Sequence, residues 1–218
     1  MNNDESRKLL ARARRIVVKV GSSTLTRDGK LRPRKFSDLA KQISGLLDDG
    51  REVVLVSSGA IAIGAARLGW DHPRHTIPEM QAAAAVGQIG LVELYQRRFA
   101  SHDQKIAQIL LTRMGLEDRE RFLNARQALS ELLKLKVVPV VNENDTIATE
   151  EIRFGDNDKL SANIVSLVSA DALVILTDVD GLYVEPPVEG RRKPQLFDVI
   201  EKITPEVEHA AQGSPSAF

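Results

Sequence analysis

The sequence has 218 residues, no cysteine, and thirty basic residues that balance thirty acidic ones. The neutral charge argues against a dedicated nucleic-acid-binding protein. The lack of cysteine excludes disulfide scaffolds, cysteine-ligated zinc, iron–sulfur clusters and thiol nucleophiles. No run approaches the ~18 apolar residues that span a bilayer, and the amino-terminal residues predict an exposed helix rather than a targeting signal. We therefore expect a cytoplasmic protein with no membrane or nucleic-acid partner.

Five short apolar segments rich in β-branched residues predict strands. They are Ile16–Val20, Val53–Ser57, Ala107–Leu111, Val137–Val141 and Leu173–Thr177. Because the segments are almost continuously apolar, both faces of the sheet should be covered. We predict an open, mainly parallel α/β sheet sandwiched by helices. Pro139 cannot donate a backbone hydrogen bond, so we keep this strand but expect the missing N–H of Pro139 to fall at a sheet edge or a bulge.

Helical spacing of apolar residues separates these strands. One stripe runs from Phe36 to Leu47 and should end at Asp49–Gly50, and a second runs from Leu160 to Val168. Gln81–Ala100 predicts a long helix in which Gly87 and Gly90 permit close packing. Val184–Gln195 predicts a loop or hairpin excursion, and Gln212–Phe218 a loop.

Polar residues and glycines follow four of the predicted strands. The segments begin at Lys19, Ser57, Asn142 and Thr177. Because ligands bind at the carboxyl ends of the strands of open parallel sheets, these segments predict a site at one rim.

Lys19 interrupts a strand that should be buried, where an unpaired ammonium is costly. One interpretation is an amine aimed at a phosphate, with Gly21 and Ser22 offering backbone amides. The alternative is an edge position from which the amine reaches water. Ser57-Ser58-Gly59 repeats the pattern, with an ordinary serine N-cap as its alternative.

Two acidic, asparagine-containing segments are equally ambiguous. Phe154–Lys159 and Asn142–Asp145 could cap helices, hold a substrate ammonium, orient a lysine or support Mg²⁺. Thr177 and Asp178 could meet a nucleotide.

Several known signatures are absent from the sequence. It has no P-loop, no G-x-G-x-x-G and no protein-kinase signature set. None of the four histidines stands in the polar segments, which argues against a metal hydrolase or a Ser–His–Asp triad. They are His72, His75, His102 and His209.

Taken together, the motifs resemble the glutamate 5-kinases, a branch of the amino acid kinase family. The resemblance rests on VVKVGSSTLT, VVLVSSGAIAIG, VVPVVNENDT, FGDNDKLSA and LTDVDGLY, which span roughly residues 16 to 183. It implies transfer of the ATP γ-phosphoryl group to the side-chain carboxylate of L-glutamate, which opens proline biosynthesis. The open alternatives are a kinase for N-acetylglutamate, a carbamate or a nucleoside monophosphate, and a non-catalytic module that binds glutamate or proline.

The resemblance also implies roles for individual residues. Lys19 would bind the transferring phosphoryl group beside the Gly21 and Ser22 amides, and Asp158 would orient that lysine. The glutamate substrate would be held by Ser58, Gly59, Asp145 and Asn157, and ATP would contact Thr177 and Asp178. Mg²⁺ would be carried mainly by the nucleotide phosphates.

The family pattern continues with a G-T-G-G-M-x-T-K loop and, in many bacterial members, a PUA domain, neither of which occurs in this sequence. We therefore expect residues 1–218 to be an amino acid kinase catalytic domain that lacks its C-terminal elements and has weak or no activity. The resemblance further implies a homo-oligomer, dimeric or tetrameric, with proline as feedback inhibitor and γ-glutamyl phosphate reductase as partner.

Overall fold

The computed structural model describes residues 3–27, 30–70, 76–148, 157–185 and 195–212. The chain forms two structural units. The larger is Ala13–Thr177, and the smaller combines Met1–Arg12 with Asp178–Phe218.

The larger unit holds a five-stranded parallel sheet, a two-stranded antiparallel pair and seven helices in its described residues. The sheet strands are β1 (Arg15–Val20), β4 (Glu52–Ser57), β5 (Lys105–Leu111), β6 (Val137–Glu143) and β7 (Ala172–Leu176). The small pair is β2 (Thr26–Arg27) and β3 (Lys30–Leu31). The helices are α2 (Ser22–Leu25), α3 (Pro33–Asp48), α4 (Ala60–Arg67), α5 (Ile77–Ala100), α6 (Arg113–Glu117), α7 (Arg119–Lys134) and α8 (Asp158–Val168).

The strand order is β5-β6-β4-β1-β7, and all neighbouring strands are parallel. The connections from β1 to β4 and from β4 to β5 run in one direction across the sheet, and those from β5 to β6 and β6 to β7 run back. Because parallel crossovers are right-handed, this reversal places helices on both faces. The predicted open parallel sheet between helices is confirmed.

Two hydrophobic clusters fill the spaces between the sheet and its helices. On one face, Val18 and Leu55 pack with residues of α3 and α5, including Phe36 and Tyr95. On the other face, Val17 and Val54 pack with α7 and α8 through residues such as Leu129, Leu160 and Ile164. Successive strand residues alternate between the two clusters, as pleated strands require, which explains why the strands are almost continuously apolar.

The predicted strands and helices are confirmed, and the strand ends differ by one or two residues. The predicted stripes are the buried faces of α3 and α8, and Gly50, with φ of +78°, follows the end of α3. The long helix α5 begins four residues before its predicted start because Thr76 and Glu79 form a capping box. Asn142 and Glu143, predicted to follow a strand, are its last two residues.

The prediction for Pro139 is wrong in placing it at an edge. Pro139 is buried in β6, an interior strand, opposite Ala107 of β5. The register between β6 and β4 begins only at Val140, which pairs with Leu55. Because pairing with β4 begins only after the proline, no hydrogen bond from the Pro139 nitrogen to β4 is required.

The smaller unit contains α1 (Asn3–Arg12) and α9 (Pro205–Gln212). Tyr183 and Leu196 form an antiparallel bridge, and the Val184 N–H donates to the Gln195 carbonyl at 2.8 Å. The predicted hairpin excursion thus has a paired base, and residues 186–194 lie outside the described residues. Gln212, predicted as loop, is the last residue of α9, and residues 213–218 are not described. None of the described helices combines the length and the apolar character needed to cross a bilayer.

Helices α4 and α5 approach each other at backbone distance through two glycines. A Cβ atom built on Gly64 would lie 1.7 Å from the Ala83 carbonyl oxygen, and one on Gly87 would lie 1.8 Å from that of Ala60. Neither position has room for a side chain. The predicted close packing is confirmed at Gly87, whose counterpart on α4 is Gly64, and at Gly90, where a Cβ atom would lie 2.7 Å from Cζ of Arg67.

A polar clamp closes the amino ends of β1, β4 and β7. Asp171 Oδ2 accepts the backbone N–H groups of Arg14 and Arg15, both at 2.8 Å. The Arg15 guanidinium donates to Glu52 Oε2 at 2.7 Å and to the carbonyl oxygen of Val168. The two backbone donors, that of Arg15 first, hold the pKa of Asp171 below its ordinary value.

Gly87→Ala should lower the free energy of unfolding by about 3 kcal/mol, because the added methyl group must push two helix backbones apart. Gly45→Ala is the matched control, since a Cβ on Gly45 meets no atom within 4 Å. That change should raise the unfolding free energy by roughly 0.5–1 kcal/mol through helix propensity. Urea unfolding of both variants tests the pair, and equal effects would contradict the close-approach argument.

Asp171→Asn should lower the urea midpoint at neutral pH, and the difference from the parent chain should shrink in acid. A carboxylate whose pKa is lower in the folded chain stabilises it above the unfolded-state pKa, and this contribution is lost as the pH falls through the folded-state value. Urea titrations at pH 7 and at several values below the ordinary pKa of 3.8 provide the measurement. A difference that does not change with pH would mean that the negative charge contributes nothing.

Candidate active site

Lys19 is a buried cation in the interior of the sheet. Lys19 is only 7% exposed. Its strand, β1, lies between β4 and β7, so the alternative that placed Lys19 at a sheet edge is wrong. The Nζ atom lies 2.5 Å from Oδ1 of Asp158, the first residue of α8. An unpaired ammonium here would cost several kcal/mol, so the carboxylate is what allows a charge on this strand.

Asn157, next to Asp158, connects three elements through its side chain. Its Nδ2 group donates to Asn142 Oδ1 at 2.9 Å, to Ser58 Oγ at 3.0 Å and, at 3.3 Å, to the Ser57 carbonyl. Asn157 occupies the N-cap position of α8 but makes no side-chain cap hydrogen bond. The ordinary capping interpretation is therefore wrong here, because the amide reaches across to the ends of β4 and β6.

Ser58 and Gly59 form the turn between β4 and α4. The Ser58 N–H donates to the Val20 carbonyl at 3.1 Å, which ties this turn to the end of β1. Gly59 has φ of +109°, a left-handed conformation that favours glycine, and it is the N-cap of α4. The predicted alternative of a serine N-cap is wrong. Ser58 is 8% exposed, and its hydroxyl accepts a hydrogen bond from Asn157 instead.

Tyr95 supports this turn from beneath the sheet. It is fully buried, and its hydroxyl lies 2.8 Å from Ser57 Oγ. Because Ser57 uses its single proton on the Ser58 carbonyl at 3.0 Å, Tyr95 is the donor to Ser57. Burial raises the pKa of Tyr95 far above its ordinary value. The phenol therefore keeps its proton for this contact.

The turn after β6 carries Asp145, which is half-buried. Asn144 organises this turn. Its N–H donates to the Leu111 carbonyl at 2.7 Å, and its own carbonyl accepts the N–H groups of Ile147 and Ala148, both at 3.1 Å. Gln81 of α5 donates to the Ala148 carbonyl at 3.1 Å. A helix on one face of the sheet thus holds the far end of the turn.

Gly21 and Ser22 follow β1 directly beside the buried lysine. A Cβ atom on Gly21 would lie 3.7 Å from Lys19 Nζ, so the backbone at Gly21 passes close to the ammonium. Ser22 begins the short helix α2, and its side chain is exposed.

The structure therefore brings Lys19, Gly21, Ser58, Asn157 and Asp158 together at the carboxyl ends of β1 and β4. Thr177 is exposed and follows β7, the neighbour of β1, whereas Asp178 belongs to the smaller unit. The segment 154–156 lies outside the described residues, as do His72 and His75. His102 and His209 are exposed.

Sequence reasoning missed Gln81, Gln88 and Tyr95, the three residues of α5 that touch these segments. The available signal was their spacing of seven residues on a helix otherwise rich in alanine and aliphatic residues.

A resident metal ion finds no ligand set in the described ranges, where no three His, Asp or Glu side chains come together. The Asp158 carboxylate is engaged by the Lys19 ammonium. The arrangement is suited instead to an anionic ligand, since it offers an ammonium, a hydroxyl and an adjacent backbone.

The chain is similar in sequence to several curated proteins. The glutamate 5-kinases of Paraburkholderia phymatum and Paraburkholderia xenovorans are 51% and 52% identical to the chain over 215 residues, and that of Ralstonia pickettii is 52% identical over 213. The first two comparisons cover 97% of the chain and 57% of the relative, and the third 96% and 56%. The chain thus spans a little over half the length of these curated relatives.

The profile of the amino acid kinase family matches residues 14–213. This range includes all five sheet strands and every residue of the candidate site. The chain belongs to the amino acid kinase family.

Proposed function

We propose that the chain is the catalytic part of a cytoplasmic kinase that transfers the γ-phosphoryl group of ATP to the side-chain carboxylate of L-glutamate. The products would be γ-glutamyl phosphate and ADP, in the first step of proline biosynthesis. The observation that carries the proposal is the buried Lys19 ammonium, fixed by Asp158 beside Ser58 and Asn157. The names of the similar proteins support glutamate as the phosphoryl acceptor.

The reaction needs no general base. A glutamate side chain has a pKa of about 4.3, so the nucleophile is already ionised at neutral pH. One of its oxygens forms a bond to the γ-phosphorus, while the bond from phosphorus to the oxygen bridging the β- and γ-phosphates breaks. Catalysis then depends on in-line positioning and on neutralising charge in a loose transition state.

Lys19 supplies that neutralising charge in the proposed mechanism. Its ammonium would contact the transferring phosphoryl group, and Asp158 holds it in place so that little reorganisation is needed during the reaction. The backbone of Gly21 and Ser22 would add amide donors to phosphate oxygens. Mg²⁺, bound to the ATP phosphates, would neutralise further charge on them.

The remaining residues would hold the two substrates. Glutamate would bind Ser58, Gly59, Asp145 and Asn157, with the Asp145 carboxylate pairing with the α-ammonium. On the nucleotide side, Thr177 and Asp178 would contact ATP. The proposal also includes feedback inhibition by proline and a dimeric or tetrameric assembly. The labile acyl phosphate would be delivered to γ-glutamyl phosphate reductase.

Hydroxylamine trapping tests the function directly, because an acyl phosphate reacts with hydroxylamine to give a hydroxamate. The chain is incubated with ATP, Mg²⁺ and L-glutamate, and the hydroxamate and ADP are quantified together with calorimetric titrations of glutamate and ATP. Glutamate-dependent hydroxamate supports the proposal, even at low turnover. Product formation only from N-acetylglutamate, carbamate or a nucleoside monophosphate would replace the substrate. Binding of glutamate without ATP would favour a binding module.

Lys19→Met should lower kcat by about 10²–10⁴-fold, because the transition-state charge loses its ammonium. The same change should also lower the unfolding free energy by a few kcal/mol, on the order of 3, because the buried Oδ1 atom of Asp158 loses its cation, so kcat is measured where circular dichroism shows the variant to be folded. Lys134→Met, which removes an exposed lysine paired with Glu131, is the control for both measurements. A loss of less than threefold in kcat would remove Lys19 from the phosphoryl site.

Asp145→Asn should raise KM for glutamate by roughly 10- to 100-fold with a smaller effect on kcat and none on KM for ATP. The reason is that a neutral amide replaces the Asp145 carboxylate, so the charge-assisted contact with the α-ammonium is lost. Asp103→Asn is the control, because Asp103 is exposed and its φ of 56° suits asparagine. An unchanged KM for glutamate would place Asp145 outside the substrate site.

A further inference from the structure

Three polar side chains of α5 are not used by the proposed chemistry, yet each contacts a segment that carries it. Gln81 donates to the Ala148 carbonyl, Gln88 accepts from Asn142, and Tyr95 contacts Ser57. Residues seven apart on a helix lie on nearly the same face, two turns from one another. The helix therefore presents one polar stripe to the carboxyl ends of β4 and β6.

Of the three residues, Gln88 is connected to the predicted glutamate site through a chain of side-chain hydrogen bonds. Its Oε1 atom accepts from Asn142 Nδ2 at 2.8 Å. Asn142 therefore presents its Oδ1 atom to Asn157, an orientation that the Ser57 carbonyl, which can only accept, requires from the other side. Accordingly, Asn142 Oδ1 accepts from Asn157 Nδ2 at 2.9 Å.

The relay continues to the predicted glutamate site. Asn157 Nδ2 also donates to Ser58 Oγ at 3.0 Å, so the Ser58 oxygen acts as an acceptor on this side. A hydroxyl that accepts one hydrogen bond still has its own proton to donate. Ser58 is thereby set to donate to a ligand carboxylate, and Asn157 is set to meet a ligand through Oδ1, an acceptor suited to an ammonium.

We propose that Gln88 is a positioning residue that, through Asn142 and together with the Ser57 carbonyl, holds the hydrogen-bond polarity of Asn157 and Ser58 and hence the orientation in which glutamate binds. The inference rests on the proposed function for its ligand, but the relay itself is a property of the ligand-free chain. Burial makes the relay effective, since Asn142 and Asn157 are 2% and 5% exposed and a reversed amide would leave donors facing donors.

The neighbouring glycine explains how α5 comes close enough to act. Gly87 lies against the backbone of α4 at Ala60, one residue from Gln88. Helix α4 begins directly after Ser58 and Gly59. The helix carrying the positioning residue and the turn carrying the positioned hydroxyl therefore belong to one tightly packed pair.

Three variants test the proposal. Gln88→Met removes the acceptor at similar volume, Gln88→Glu keeps an acceptor, and Gln96→Met makes the matched change on an exposed position of the same helix. Glutamate and ATP affinities are measured by calorimetry, KM and kcat by hydroxamate formation, and the side-chain amide resonances of Asn142 and Asn157 by ¹⁵N NMR without ligand.

Gln88→Met should weaken glutamate binding about tenfold, leave ATP binding unchanged and shift the Asn157 side-chain amide signals. Gln88→Glu should stay within about threefold of the parent affinity, and Gln96→Met should change neither quantity. In the kinetics, KM for glutamate should rise more than kcat falls. If the role of Gln88 were only structural, Gln88→Met would lower the thermal stability without weakening glutamate binding more than ATP binding. In that case Gln88→Glu would not restore the parent affinity.

The proposal is overturned if the Asn157 signals do not move in Gln88→Met, or if the parent chain binds glutamate and Gln88→Met binds it within twofold. If the parent chain binds no glutamate, the proposed function fails, and the NMR comparison still decides the relay. A shift in Gln88→Met but not in Gln96→Met supports it, and any other result refutes it.

Discussion

A positive charge in the middle of a sheet that is covered on both faces is the constraint on which the rest of the site depends. Lys19 alternates with Val18 and therefore points to the face packed by α7 and α8. A carboxylate must meet it there, and Asp158 does so from the first turn of α8. The start of that helix is thus placed over the end of β1 by electrostatics as much as by its apolar stripe.

Once α8 begins at that point, the preceding residue falls between the ends of two further strands. Asn157 donates to buried acceptors on β4 and β6. One residue neutralises the cation and its neighbour joins the strand ends, so two consecutive side chains assemble the site. On the opposite face, contact between the backbones of α4 and α5 brings a second helix within hydrogen-bonding reach of the same strand ends.

Strands and apolar helix faces could be predicted closely because burial leaves a direct trace in residue type and spacing. The position of Pro139 could not, since its tolerance depends on where the register with β4 begins, at Val140, and pairing register is not visible in a single strand. The local capping pattern at Asn157 was misleading for a similar reason. Its Nδ2 group donates to acceptors about 15 and 100 residues away, at Asn142, Ser57 and Ser58, and these bonds hold the side chain away from the local N–H groups that its oxygen would cap.

The polar stripe of α5 was hidden by composition. Gln81, Gln88 and Tyr95 stand among alanines and aliphatic residues in a helix with seven buried positions, so the amphipathic pattern that marks a functional face is weak. The seven-residue spacing predicts contacts with the strand ends only once the topology has placed this helix beside them.

The clamp around Asp171 and the chemistry around Lys19 lie at opposite ends of the same strand. Arg15 and Val20 bound a six-residue strand, which at about 3.3 Å per residue separates the two ends by roughly 17 Å. That span exceeds the screening length of about 8 Å at physiological ionic strength and the range over which substitutions usually couple. Substitutions around Asp171, at the amino ends of the strands, can therefore change the thermostability of this fold without changing the site around Lys19 at the carboxyl ends.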